Sequence, residues 1–418
     1  MKKTCLITAM ILMALMSSTS YGVTPAGPLS VSGSQIVNQY DQPVSFAGMS
    51  FFWSNDDWGG MDYYNADCVD WLVSDWGVTI VRAAMGVEDD GGFIDSEPNN
   101  VARVKTIVDA AIAAGIYVVI DWHSHNAENY EVEAIGFFED MATTYGGYDN
   151  VLYEIYNEPW GTKSWPNAVK PYSEAVIAAI RAIDPNNIIL VGSPEWSQRV
   201  DLPAADPITG YDNIAYTVHF YPGAGHKGWL RDRCTAAMNS GIALMATEWG
   251  RGNPGSDEDD WMAYLLANHI SHQNWAVNDK DEGFSHVWPD TEMFDGGWAA
   301  SDLSTSGTYV KAVILGWDDI PDPPAPPELL GHWELDENTG STAADSTVEG
   351  NDGTLAGDTA WVTGETGSAL DFDGNGDYVD LGNPSVLDFG TDDFTICAWV
   401  KNPVGGTVVG NGGDDAGG

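Results

Sequence analysis

The stretch VLYEIYNEPWG, residues 151–161, opens on alternating apolar positions and ends on Asn157 and Glu158, followed by Pro159. Apolar residues at every second position read as a buried strand, and a buried strand that stops on a carboxylate needs a chemical reason. Seven other runs share this texture: PVSFAGM (43–49), VTIVRAA (78–84), IYVVIDWH (116–123), NIILVGS (187–193), NIAYTVHFY (213–221), IALMATEWG (242–250) and HQNWAVND (272–279). Helical patterns lie between them. NNVARVKTIVDAAIAAG (99–115) has apolar spacing near 3.6 and a closing glycine, and PYSEAVIAAIRAIDP (171–185) is bounded by prolines. Regular strand–helix alternation makes a parallel sheet that must close or be doubly wound. Eight such units within residues 30–317 therefore predict an α/β fold, a (β/α)8 TIM barrel. No G-x-G-x-x-G follows the first strand, which counts against an open dinucleotide-binding sheet.

The 418 residues carry 62 acids against 16 bases, a formal charge of −46. That excludes nucleic acid and anionic membranes as partners, because phosphate binding needs clustered Lys and Arg. A monomer is expected. Residues 1–22, MKKTCLITAMILMALMSSTSYG, have two lysines, an apolar run and a small polar stretch, the layout of a secretory signal peptide. Export, to the cell surface, periplasm or medium, is the expected localisation. Cys68, Cys234 and Cys397 then remain, widely spaced and resembling no metal motif; free buried thiols are expected for Cys68 and Cys234. DDIPDPPAPPEL (318–329) reads as a stiff proline-rich linker. Beyond it, residues 331–418 hold 17 acids and one base, Lys401, with short alternating runs between Gly, Asp and Asn. That is β-sandwich texture, and residues 330–418 are too few for the large sandwich this start implies, so a partial domain is expected.

In such a barrel the C-terminal ends of the strands form the face that carries chemistry. The strand ends here offer Arg82, His123, Asn157 with Glu158, His219 with Tyr221, Glu248, and Trp275. Glu158 after strand four and Glu248 after strand seven would face each other across the mouth. Hydrolysis of a glycosidic bond uses one carboxyl to protonate the leaving oxygen and another to attack the anomeric carbon. Their proton affinities must be pushed apart, and a nearby Arg82 would favour an ionised Glu248. Asn157 is placed to donate to the sugar hydroxyl beside the reacting carbon. H-x-H in DWHSH (121–125) lacks a third ligand at a telling spacing, so no metal is assigned and no cofactor is implied. His125 reads as loop surface, and His226, His269 and His286 receive no role.

VRAAMG (81–86), VVIDWH (118–123), YEIYNEPWG (153–161), YTVHFYPG (216–223), MATEWG (245–250) and QNWAVNDKDEG (273–283) together resemble the cellulase branch of glycoside hydrolase family 5. The resemblance implies Glu158 as acid/base, Glu248 as nucleophile, net retention, and supporting roles for Arg82, His123, Asn157, His219 and Tyr221. It also implies a sugar platform at Trp275, subsite contacts from Lys280 and Glu282, and aromatic subsites at Trp53 and Trp196. Where relatives often continue RAAM with Tyr, this chain has Gly86, so one aromatic contact is expected to be missing or supplied from elsewhere. The tail segments HWELDENTGSTAADSTVEGNDGTLAG (332–357), ALDFDGNGDYVDLG (369–382) and DFTICAWVK (393–401) resemble the first part of a concanavalin A-like, laminin-G-type domain. The implied activity is a secreted endo-β-1,4-glucanase acting on cellulose or a related β-glucan. The alternatives are a β-mannanase or mixed-linkage glucanase with the same acids, or a non-catalytic carbohydrate-binding protein.

Overall fold

The computed structural model describes residues 5–8, 25–251, 257–323, 329–387 and 395–401. They fall into two units, Thr19–Pro323 and a second that joins Met1–Ser18 with Pro324–Gly418. In the first, eight parallel strands close into a barrel: β1 (Ala47–Phe51), β2 (Ile80–Gly86), β3 (Tyr117–His123), β4 (Val151–Glu154), β5 (Ile189–Val191), β6 (Ile214–Phe220), β7 (Ala243–Trp249) and β8 (His272–Val277). The helices that follow them in order are α1 (Ala66–Trp71), α2 (Phe93–Ala114), α3 (Glu131–Tyr145), α4 (Lys170–Arg181), α5 (Asp201–Ala205), α6 (Gly228–Asn239), α7 (Glu258–Ala267) and α8 (Thr305–Leu315). The (β/α)8 architecture read from the alternation is the one observed.

Two differences matter. The first strand starts at Ala47, later than the apolar run suggested, and β4 ends at Glu154, four residues short of Glu158. Past Glu154 the chain still leans on its neighbours: the Ile155 amide donates to the Leu190 carbonyl at 3.0 Å and the Glu158 amide to Ser124 at 3.2 Å. Glu158 thus sits on a tethered loop above the sheet. Helix α2 starts at Phe93, earlier than the pattern, but is kinked at Ser96, just before Pro98. The regular part of the helix lies beyond this kink, where the pattern placed it.

Strand residues alternate as period 2 requires. Val81, Val118, Ile120, Val151, Tyr153, Tyr216 and Val218 face the helices and belong to the outer core. Ile80, Tyr117, Val119, Leu152, Leu190, Ala215 and Met245 point into the barrel and pack with Leu29, Ile36 and Phe46 at its N-terminal end. Burial at about 1.5–3 kcal/mol per large side chain makes both layers strongly stabilising. Toward the C-terminal end the inward positions turn polar: Ser50, Arg82, Asp121, Glu154, Thr217, His219 and Thr247, all buried. The apolar plug below therefore supports a charged layer above. Cys68 and Cys234 are free and buried, on α1 and α6.

The proline-rich segment keeps contact with the barrel at its start, where Asp319 accepts from the Ser45 amide at 3.3 Å and meets His269 Nδ1 at 2.9 Å. The second unit contains two antiparallel sheets. Strands 342–343, 353–356 and 378–380 form one. In the other, Cys5–Thr8 pairs between Ser368–Phe372 and Trp399–Lys401, with Ala360–Thr363 outermost. Residues 5–8, inside the stretch expected to be an export signal, thus occupy a strand position in this unit; the rest of residues 1–22 lies outside the described residues. Among the described residues Leu335, Ala343 and Leu370 form its buried cluster, and Ala369 is buried as well.

Gly48 on β1 lies so close to β2 that an added Cβ would sit 1.6 Å from the Ile80 carbonyl oxygen. Backbone cannot yield as a flexible side chain can. Gly48→Ala should therefore lower stability by about 1–3 kcal/mol, read as a fall in Tm by calorimetry; an unchanged Tm would contradict the tight β1–β2 approach.

Candidate active site

Arg82 is fully buried at the centre of the charged layer, and each of its five N–H donors is used. Nε donates to Glu154 Oε2 at 2.7 Å, and Nη1 to Ser50 Oγ at 3.3 Å and Glu248 Oε2 at 3.1 Å. Nη2 donates to Asn157 Oδ1 at 2.7 Å and meets Asp121 Oδ2 at 2.9 Å. One guanidinium thereby fixes side chains from β1, β3, β4, β7 and the loop after β4. Because arginine has no acceptor, the atom of Asn157 facing it is the oxygen. Its amide nitrogen is turned the other way, 3.4 Å from His123 Nε2.

Glu248 reaches the same centre through a bulge. Met245 is paired with Thr217 and Glu248 with His219, so β7 spends three steps where β6 spends two. The extra residue lets Thr247 and Glu248, although consecutive, both serve the barrel mouth. Glu248 Oε1 accepts from the Tyr221 hydroxyl at 2.5 Å. Glu158 lies opposite: its Oε1 is 2.9 Å from His219 Nδ1 and its Oε2 is 3.4 Å from His125 Nε2. One atom each of Glu158, His219 and Glu248 lie within 4.8 Å of one another. His125, read from the sequence as loop surface, is therefore a neighbour of Glu158. The short turn from β3 returns it to the mouth, with its amide donating to Glu88 at 2.9 Å.

Burial opposes charge on His219, but Glu248, Glu154 and Glu158 outweigh it and raise its pKa to about 10. Burial likewise pushes Glu158 up, yet the hydrogen bonds of His125 and His219 carry it down to about 2. Glu248 goes the other way. Burial, aided by Glu158, lifts it above the ordinary carboxylate range despite the pull of His219 and Arg82. The Arg82 contact expected from the sequence is present, but desolvation is the larger influence. His123 is held well below its usual value by burial and by Arg82, so it is neutral. Its Nδ1 contacts Asp121 Oδ2 at 2.7 Å. Glu158, His219 and Glu248 have the donor types of a cation site, but two positive groups, Arg82 and the His219 imidazolium, already neutralise them.

The aromatic candidates differ in placement. Trp275, whose peptide bond to Ala276 is cis, stacks on His123 with centroids 5.0 Å apart and planes 3° from parallel. Trp53 packs edge-on against His123 at 4.2 Å. Trp53 and Asn55 also fill the space over Gly86, where a Cβ would lie 1.8 Å from Asn55 Oδ1. A side chain at position 86 therefore has no room in this arrangement. Lys280 Nζ donates to the Trp58 carbonyl at 3.0 Å over the Phe52 ring, and Glu282 accepts from Asn278 at 3.3 Å. Neither has a hydrogen bond to Glu158 or Glu248 among the described residues. Trp196 is 41% exposed on the loop after β5, and Trp160, in the loop after β4, is 59% exposed.

Trp196 is presented by an unusual backbone. Glu195, Trp196 and Ser197 all adopt left-handed conformations, with φ of 56°, 58° and 55°. Each such residue costs on the order of 1–2 kcal/mol. The turn is held by bonds to the segment quoted at the outset: Glu195 N to Gly161 O at 3.0 Å, Trp196 N to Pro159 O at 3.2 Å, and Ser197 Oγ to Asn157 O at 2.7 Å. Thr217 Oγ1 backs Ser197 Oγ at 3.0 Å. Sequence reading missed Ser197, Thr217, Thr247, Asp121 and Glu154; for the last two, a carboxylate on the inward face of an apolar strand was the available signal.

The family profile described as Cellulase (glycosyl hydrolase family 5) matches residues 37–281. Endoglucanase Z of Dickeya dadantii (strain 3937) is 50% identical over 297 residues, which span 69% of this chain and 67% of that protein. A solved structure from Cytophaga hutchinsonii is 45% identical, covering 71% of this chain and 95% of its own, with a TM-score of 0.66. A variant of the catalytic domain of Thermobifida fusca endoglucanase Cel5A (E5), in complex with cellotetraose, is 27% identical with a TM-score of 0.65, covering 70% of this chain and all of that one. The barrel, the two opposed glutamates and these matches agree: the chain belongs to glycosyl hydrolase family 5, the cellulase family, and is a glycoside hydrolase.

Proposed function

We propose that the chain is an exported endo-β-1,4-glucanase that cleaves internal bonds of cellulose or a related β-glucan with retention of configuration. The observation that carries the mechanism is that one carboxylate oxygen of Glu158 lies within 4.8 Å of one of Glu248. Retaining enzymes keep their carboxyl groups about 5–5.5 Å apart, whereas inversion needs roughly 6.5–9.5 Å to admit a water. The choice of glucan is supported by the named activity of the Dickeya relative and the cellotetraose held by the Thermobifida one. Residues 1–22 act as the export signal, and the described residues beyond 329, with their short antiparallel strands, belong to a concanavalin A-like domain.

In the first step Glu248 attacks the anomeric carbon while Glu158 protonates the departing oxygen. Arg82 and Tyr221 hold Glu248 in place and stabilise its charge. The proton for Glu158 resides at rest on His219, 2.9 Å away, and passing it leaves a neutral imidazole beside a protonated carboxyl. Glu158 has then returned to its carboxylate, which draws a proton from water as that water releases the sugar from Glu248. The Asn157 amide, oriented by Arg82, is directed to the hydroxyl beside the reacting carbon. Trp275 and Trp53 form the aromatic wall around that sugar, and Trp196, Lys280 and Glu282 serve more distant sugars.

Glu158→Gln should lower kcat/KM on a neutral cello-oligosaccharide by about 10²- to 10⁴-fold. It should spare the glycosylation step of a dinitrophenyl cellobioside, whose leaving group needs no proton; equal losses on both substrates would remove the acid role. Glu248 must be ionised to attack. Because its folded pKa is raised, activity should fall with decreasing pH already above the usual carboxylate value of about 4.3. Tyr221→Phe removes a donor to the charged form and should move this acid limb upward by about 1 pH unit. A limb that stays in place would show that Tyr221 does not stabilise the Glu248 charge.

A further inference from the structure

Glu154 is a fully buried carboxylate that the mechanism above does not use. It is the last residue of β4 and faces inward. Its Oε2 is taken by Arg82 Nε, and its Oε1 accepts from Thr247 Oγ1 at 2.7 Å. The same Thr247 oxygen lies 2.9 Å from His219 Nε2. Thr247 lies within the β7 bulge, between Met245 and Glu248. Groups facing this chain from the surrounding elements are Arg82 on β2, Asp121 on β3, His219 on β6, Glu248 on β7, and Glu158 above β4.

The hydroxyl has a single proton. Glu154, ionised beside Arg82, only accepts, so the Thr247 proton is committed to it and the Thr247 oxygen must accept from His219. Nε2 of His219 therefore carries hydrogen whether the ring is neutral or charged. In the neutral ring this leaves Nδ1 bare, facing Glu158 Oε1 at 2.9 Å; in the charged ring the second proton sits on Nδ1. We propose that Glu154, acting through the Thr247 hydroxyl, is a positioning residue that fixes the tautomer of His219 and so aims its transferable proton at Glu158. The transfer is balanced: the Nδ1–H bond breaks, an Oε1–H bond forms on Glu158, and His219 and Glu158 both become neutral. Glu158 then gives that proton to the departing sugar oxygen. The proposal rests on the acid/base reading of Glu158.

The negative charge of Glu154 also favours the protonated pair, so the pair keeps its proton until pH passes the raised His219 value. Breaking the link lowers that value. Thr247→Val, which keeps shape and removes the hydroxyl, should move the alkaline limb of kcat/KM on cellohexaose downward by about 1–2 pH units, with the acid limb unmoved. Thr247→Ser should restore the wild-type limb. Imidazole nitrogen NMR of the folded variants reads the His219 tautomer independently of turnover, and Thr247→Val should lose the fixed Nε2–H form. Folded Thr247→Val with a wild-type tautomer and wild-type limb, or with lower kcat and unshifted limbs, overturns the proposal. A changed tautomer and lowered His219 pKa with an unmoved limb sustains the link and overturns the acid role of Glu158 instead.

Discussion

The site depends on one buried cation. Arg82 is completely withdrawn from water, and its five donors are distributed over Ser50, Asp121, Glu154, Asn157 and Glu248. A buried guanidinium is tolerable only when every donor is matched and its charge is balanced. The surrounding acids are themselves tolerable only because Arg82 and His219 are present. Removing one partner of such a set costs about 3–5 kcal/mol through the charges left behind. The same bonds that make the layer stable fix the directions of Glu248 and Asn157, so stability and the geometry of the mouth share one network.

The regular barrel cannot make this network by itself. Strict alternation would turn either Thr247 or Glu248 toward the helices, and the β7 bulge brings both to the mouth. The left-handed turn at Glu195–Ser197 is the second irregularity. It spends backbone energy to clamp the Asn157 carbonyl and to expose Trp196. Strain of this kind persists where surrounding bonds over-determine it, and it collects at functional sites. Both devices lie within reach of Glu158, the residue whose position at the end of VLYEIYNEPWG first demanded an explanation. That explanation is now specific: the carboxylate hangs just beyond β4, between His125 and His219, opposite Glu248.

The barrel was legible because its signal is periodic and repeated: eight alternating runs, each followed by a helical pattern. Arg82, His123, Asn157, Glu158, His219, Tyr221 and Glu248 were legible because they stand in or just past those runs, at one end of the barrel. The exact ends of strands were not, since Ile155–Glu158 looks like more strand but is tethered by only single bonds to its neighbours. His125 was read as loop surface because the turn that folds it back has no sequence marker. Glu154 and Thr247 escaped because the contact between them depends on a bulge, a register event invisible to alternation. The raised pKa of Glu248 was also hidden, as burial is a property of the assembled mouth rather than of the motif.

On the proposed mechanism, Glu248 attacks the sugar while Glu158 supplies the proton. The most direct test is to incubate the protein with a 2-deoxy-2-fluoro-β-cellobioside bearing a dinitrophenyl leaving group and to map the modified peptide by mass spectrometry. The expected result is one burst equivalent of dinitrophenol per protein and a 2-deoxy-2-fluorocellobiosyl adduct on Glu248. An adduct on Glu158, or full turnover with inverted product and no adduct at all, would contradict it.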